Sequence, residues 1–467
     1  MVLASDSGAD STKAPEDPRR QPVGGVLLKT PALPPGTPNP PDLHLFGGQG
    51  VSSFATINLP GTIEEREKAW SVQRPAVDDA QRRLLAQRYD FTGKVSADAR
   101  MSGGKPIPVG PVARLPKGLA NWEALGALSA DEIREKDLFP YKPLPHPLAS
   151  TGGPVLPEPQ REPARRFDVS FDLPDAYLPE AAPALFLTTR PDLGDVSQGH
   201  VLNVNNYREF LSGVLTGEQY EGFLLLMNFP IPADWLNQTD HRAVPLQKNS
   251  VGGLRCFDCH VNGHTDGAFA LDPSTRPQLA RARIDTPSLR GLHLQGPLSL
   301  KRTLMGSGHF SEVEEYVDSD PAQGEAVGTK KVNDEAIRKM EAFLNIIAFP
   351  PAPKLDVFGR LDPKKATPSE LRGEALFFGK ARCAACHMPP AYSDNEMHDL
   401  RVEHFYRGRA EGPAKTFPLR GIKDSPPYFH DGRLPTLEDT VEFFDLILET
   451  HLSAPEKEYL AAFMRAL

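Results

Sequence analysis

Cysteine is scarce in this chain: 467 residues contain four. All four fall in two pentapeptides, so none is left over to form a disulfide that would report the redox compartment. Long apolar runs are absent, and none reaches the roughly 18 residues needed to cross a bilayer, so no transmembrane segment is expected. A basic excess is missing too: the net charge is −9 with no basic stripe, which argues against a nucleic-acid partner and favours a neutral or basic protein partner through electrostatic steering. The first residues, MVLASDSGADSTKAPEDPRR, lack the charged and apolar regions of a signal peptide, so an export signal is expected to be absent from this numbering. Tryptophan occurs at Trp70, Trp122 and Trp235 only, and these read as packing residues rather than redox relays.

What the chain has in abundance is proline, at 48 residues, about twice the usual share. Such a composition implies extended, irregular backbone. Residues 1–42 read as a flexible Pro-rich arm, and residues 43–245 as an N-terminal domain of unknown role with short helical signals between Pro-rich connectors. Capping boxes mark helix starts at Ser129–Glu132 and Thr216–Gln219.

From residue 246 onward the sequence repeats. CFDCH (Cys256–His260) is answered by CAACH (Cys383–His387), TPSLRG by FPLRG, EVEEYV by TLEDTV, and MEAFLNII by YLAAFMRAL, in the same order and at offsets between 120 and 130 residues. Each unit opens with a helix leading to the cysteine motif and closes with an amphipathic helix. In the second, Thr367–Glu370 forms a capping box with Pro368 at the first helical position, Leu371, Ala375 and Phe378 make an apolar face, and Gly379 ends the helix. Ser453 and Glu456 cap the last helix. The expected architecture is mainly α, with two tandem helical domains, 246–352 and 353–467, after a largely irregular N-terminal region.

Two thiols three residues apart can add across the vinyl groups of a haem, and the histidine behind them can bind the iron. Cys256, Cys259, Cys383 and Cys386 are thus candidate attachment residues, with His260 and His387 as proximal ligands. A zinc site would want its cysteine pairs 15–20 residues apart, and a thioredoxin-like pair would need a βαβ context; neither matches. The reading is two covalently attached haem c groups, so the two tandem domains are expected to be cytochrome c-like helical haem domains.

These blocks resemble those of the bacterial di-haem cytochrome c peroxidases and their MauG-like relatives. The resemblance covers residues 246–467 and rests on GEALFFGKARCAACH, TPSLRG and FPLRGIKDSPPYFHDGRLPTLEDTVEFF. It implies a periplasmic oxidoreductase, here an N-terminally extended member, with one haem open to hydrogen peroxide or dioxygen and the other passing electrons from a small redox protein, a cytochrome c or cupredoxin. It also makes calcium between the haem domains a candidate. Peroxide reduction at the first haem is the leading function. A MauG-like or oxygenase-type enzyme acting on a protein or organic substrate, and a non-enzymatic electron carrier, stand as alternatives.

Alignment of the units sets His430 against Gly306, so His430 is a candidate metal ligand of the second haem, leaving the first open. The family's usual ligand position falls near Pro413 and Ala414, which offer none. His404, Tyr406 and Met397 are rivals, and a histidine near a haem propionate is the plainer reading. The resemblance places a catalytic glutamate at Glu314, beside Glu315, as general acid–base for peroxide cleavage; a solvated first-turn glutamate is the alternative. His309 and Met305 share its loop. His264 reads as a loop residue, and Arg290 and Arg420 as propionate partners or surface salt bridges. The family's relay tryptophan has no counterpart after Cys256.

Overall fold

The computed structural model describes residues 63–146, 172–203, 205–228, 256–270, 283–294, 334–407 and 414–467. Residues 1–42, Met305, Gly306, His309, Glu314, Glu315, Trp235 and Pro413 lie outside them. The described chain is rich in helix, and its strands form three two-stranded antiparallel ladders: Lys94–Arg100 with Pro106–Val109, Phe269–Ala270 with Ile284–Asp285, and Met397–His398 with Ala414–Lys415.

Local signals place the helices. Asn121 caps Trp122–Gly126, and the boxes at Ser129, Thr367 and Ser453 are all formed. Thr436–Asp439 makes a further one at the start of Leu437–Leu448. Each pairs backbone N–H groups that a helix start would otherwise leave without partners.

Two helix crossings organise the rest. Gly217–Asn228 packs on Asp334–Leu344, and Pro368–Phe378 packs on Ala454–Ala466. Both crossings turn on a glycine. A Cβ on Gly222 would stand 1.8 Å from the Lys339 carbonyl oxygen, and one on Gly373 would stand 1.9 Å from that of Tyr459. Beside each glycine an aromatic pair meets edge to face, Phe223 with Phe343 at 5.2 Å and Phe377 with Phe463 at 5.1 Å. A similar crossing is thus built twice, with Phe343 and Phe463 matched by the repeat. Of the expected apolar face of Pro368–Phe378, Leu371 and Phe378 pack against the core while Ala375 is exposed, and Glu370, Gly373, Glu374 and Phe377 are buried beside them. Lys354 and Arg360 pair with the two glutamates, which lets carboxylates occupy that face.

Two apolar cores result. One joins Leu185–Met227 to Phe257 and Met340–Ile347. The other joins Leu85–Leu178 to Leu361–Leu467. The described part of 43–245 contributes to both cores. Its first half braces the second unit through the Val112 and Ala113 amides on Asp439, at 2.9 and 2.8 Å, and through the Tyr89 hydroxyl on the Arg433 carbonyl, at 2.6 Å. Trp122 packs edge to face on Phe139, as a packing residue should.

Candidate haem sites

After Phe378 the chain turns at Gly379, passes through Arg382 in the left-handed region, and makes one tight turn over Cys383–Ala385 that ends with the His387 amide on the Cys383 carbonyl. That turn brings Cys383, Cys386 and His387 to one wall. Burial pushes both thiols up to about 12, so they stand as neutral S–H groups. His387 Nδ1 lies 2.8 Å from the Tyr392 carbonyl, an acceptor, so Nδ1 carries the proton and the lone pair sits on Nε2. Burial lowers the pKa of this imidazole and keeps it in the neutral, ligating form.

These residues line a cavity of about 370 Å³. Val441, Phe444, Leu448, Leu460 and Met464 give it apolar walls, and His430 belongs to its lining together with Tyr428 and Phe429. The cations Arg283, Arg290, Lys415 and Arg420 also reach it. An apolar slot with paired thiols, a histidine with a directed lone pair, and cations for carboxylates fits a covalently held haem with its propionates.

The His430 turn is held from several sides. Tyr428 and Leu434 bond to each other across it, Asp285 donates its amide to the His430 carbonyl at 2.9 Å, and Arg283 donates to the carbonyls of Asp431 and Gly432 at 2.8 and 3.2 Å. Phe429 adopts φ +72°, a strained value for a side-chain-bearing residue, and its ring lies 4.6 Å from that of His430. Both ring nitrogens of His430 are shielded from solvent. Burial, with Asp266 nearby, raises the Asp285 carboxyl well above its ordinary range.

In the first unit Cys256–Cys259 is a single helical turn, and His260 repeats the geometry of His387: its Nδ1 lies 2.8 Å from the Pro287 carbonyl. Burial brings this histidine down to about 4. Pro287 and Ser288 themselves line the second unit's cavity, so the segment that orients His260 is also a wall of the neighbouring site. His264 is more than a loop residue. It is 2% exposed, with Nδ1 2.8 Å from Ser288 Oγ and Nε2 3.0 Å from the Asp424 carbonyl. The carbonyl can only accept, so Nε2–H donates to it.

Other expectations change on inspection. Arg290 is no surface salt bridge: it pairs with Asp424 at 2.9 Å, both side chains 3% exposed. Arg420 donates to the carbonyls of Leu467 and Pro350. His404 and Tyr406 are buried but do not belong to the cavity lining. His398 does, and sequence reasoning passed over it; its Nε2 is committed to Asp394 at 2.8 Å. Cys386, Asp394 and His398 are also the one three-donor group among the described residues that could hold a metal ion. A Cys386 alkylated by haem would lose its thiolate and with it that capacity, and the mixed donor set is unlike the all-oxygen one calcium takes. Glu314 lies outside the described residues, as does Gly306, which the alignment sets against His430.

No family model matches the chain. Among curated proteins it is similar to the cytochrome-c peroxidase IdrP1 of Pseudomonas sp. (strain SCT), at 27% identity over 38% of this chain and 62% of that one. It is similar to the methylamine utilization protein MauG of Methylorubrum extorquens at 37% over 16% and 24%, and to IdrP2 of the same Pseudomonas at 27% over 46% and 76%. The match thus spans less than two thirds of the length of the first two relatives. Among solved structures, a hydrazine synthase of Kuenenia stuttgartiensis overlays with TM-score 0.38 at 21% identity, covering 57% of this chain and 93% of that one, and a MauG-like protein associated with microbial copper homeostasis with TM-score 0.37 at 20%, covering 57% and 91%. Overlaps that loose carry no weight for the fold. No helix among the described residues is long and apolar enough to cross a membrane.

Proposed function

We propose that this member of the MauG/di-haem cytochrome c peroxidase superfamily is a periplasmic oxidoreductase that reduces hydrogen peroxide at a first haem c, with electrons delivered through a second. The observation that carries the reading is that Cys383, Cys386, His387 and His430 all line one apolar cavity. The haem units are proposed as 246–352 and 353–467, the first drawing its opening helix from Gly217–Asn228.

In this reading Cys256 and Cys259 hold one haem and Cys383 and Cys386 the other, with His260 and His387 as proximal ligands. Bound there, haem iron would supply one-electron redox chemistry and, where its sixth position is vacant, a place for peroxide. Burial keeps His387 and His260 neutral, and their Nδ1–H groups, committed to carbonyls, leave the Nε2 lone pairs free to ligate. His430, which lines the same cavity, would be the second ligand to a haem held there and would favour electron transfer over peroxide binding at that site. Glu314 takes a proton from peroxide and returns it to the departing oxygen. Two electrons and two protons per peroxide give two waters. The donor is a small cytochrome c or cupredoxin, and the name of the IdrP relatives supports the peroxidase reading over the MauG-like one.

The test is peroxide consumption by holoprotein supplied with a reduced small redox protein. Glu314→Gln should lower the rate by about 10²-fold or more with both haems retained. A di-haem preparation that leaves peroxide untouched would falsify the peroxidase reading.

A further inference from the structure

The resemblance begins at residue 246, and nothing in it gives the chain before that point a task. One of the places where that earlier chain meets the second unit is the turn carrying His430, which it reaches from well-separated segments. The Tyr89 hydroxyl donates to the Arg433 carbonyl at 2.6 Å, Arg433 Nη1 donates to the Tyr141 carbonyl at 2.7 Å, and the Leu144 amide donates to the Asp431 carboxylate at 3.3 Å. Asp172 adds a further tie through Arg283.

Arg283 stands at the centre of these ties. Its side chain is fully buried and paired with Asp172, whose side chain is 4% exposed. Nε and Nη2 donate to the carbonyls of Asp431 and Gly432, the two residues after His430, while Nη1 donates to Asp172 Oδ2. The same oxygen accepts from Gln81 Nε2 at 2.6 Å, and the guanidinium lies 3.7 Å from the centre of the Phe269 ring. A planar fork can serve three acceptors in fixed directions at once, which an ammonium on a flexible stem cannot. Asp172 thus supplies the countercharge and aims the fork, and the fork holds the turn.

Held this way, the turn has little room to move. A Cβ on Gly432, at φ +64°, would stand 2.5 Å from the Phe269 ring, and the Asp285 amide grips the His430 carbonyl at 2.9 Å. Phe429 keeps its left-handed φ of +72° only under such support. Ties from 89, 141, 144 and 172 therefore converge on residues 431–433, directly behind a histidine that belongs to the cavity lining. A side chain that binds a metal centre is only as well placed as the groups behind it.

We propose that segments 81–89 and 141–144, together with Asp172, are a positioning brace for His430, and that Arg283, aimed by Asp172, is the positioning residue through which the brace acts. It sets the share of molecules in which His430 ligates a haem held in the second cavity. The inference rests on the functional reading above, which makes His430 that ligand.

The test uses ferric holoprotein, read by EPR for the high-spin to low-spin ratio and by urea unfolding for stability. His430→Ala first identifies the low-spin signal of the second haem by its loss. Arg283→Lys keeps a charge opposite Asp172 and loses the fork, and should raise the high-spin to low-spin ratio at that haem about tenfold. Tyr89→Phe removes one hydrogen bond and should raise the ratio about threefold, and it decides the matter if Arg283→Lys does not fold. Added to His430→Ala, either substitution should leave the spectrum as His430→Ala alone gives it, while still lowering the urea midpoint. An unchanged ratio in folded Arg283→Lys, or a spectral change just as large without His430, overturns the inference; the latter would set Arg283 against the haem rather than behind the histidine. Loss of the functional reading is separately visible, as a His430→Ala spectrum identical to that of the wild type.

Discussion

The two repeat units are built alike where they fold and differently where they connect. Both cross their opening and closing helices on a glycine, Gly222 and Gly373, beside a phenylalanine pair. Both tie the Nδ1 of a Cys-x-x-Cys-His histidine to a backbone carbonyl. Past the motif they part. In the first, His264 and Arg290 reach into the second unit, onto Asp424. In the second, Tyr392 reaches outward to the surface turn at Gly359. A duplicated scaffold has thus kept its packing rules while the segments after the two motifs tie different parts of the chain together.

That contrast can be broken most severely at the arginines matched across the repeat. Arg290→Met leaves Asp424 buried with only the Ser102 amide and no countercharge, and should cost about 3–5 kcal/mol in urea unfolding. Arg420→Met loses only bonds to the Leu467 and Pro350 carbonyls and should cost about 1–3 kcal/mol. Equal losses would remove the distinction between an inter-unit clamp and a local one. Next come the glycines, where the account demands symmetry. Gly222→Ala and Gly373→Ala should each destabilise by about 1–3 kcal/mol through overpacking, and a loss in one alone would show that the crossings are not equivalent.

The smallest effect belongs to the cap of the last helix. Glu456 is held down to about 2 by Lys380 and by the Ser453 amide, against an ordinary 4.5. Its folded value lies below the unfolded one, so its contribution is present above about pH 4.5 and fades as pH falls towards 2. Glu456→Gln should flatten that part of the melting profile and shift it little at neutral pH, because the pair is partly exposed and screened.

Legibility in the sequence followed distance along the chain. The capping boxes at Ser129, Thr216, Thr367 and Ser453 involve partners three residues away, and the motif itself spans five. The Thr436–Asp439 box is equally local. His264 was read as a loop residue because its second partner, Asp424, lies 160 residues on. His398 was passed over because the cavity it lines is assembled from both units. The buried face of Pro368–Phe378 is wider than its apolar periodicity because glutamates paired to Lys354 and Arg360 share it. Nothing in residues 43–245 announced that their amides would brace Asp439 and that their tyrosine would hold the His430 turn.

The central claim is one covalent haem in each unit, and the intact mass of the denatured chain, matured in a host competent for haem attachment, tests it most directly. The account predicts two haem additions for the wild type and one for either Cys256→Ala/Cys259→Ala or Cys383→Ala/Cys386→Ala. A wild-type mass with no addition, or a cysteine pair whose loss leaves the mass increment unchanged, would contradict it.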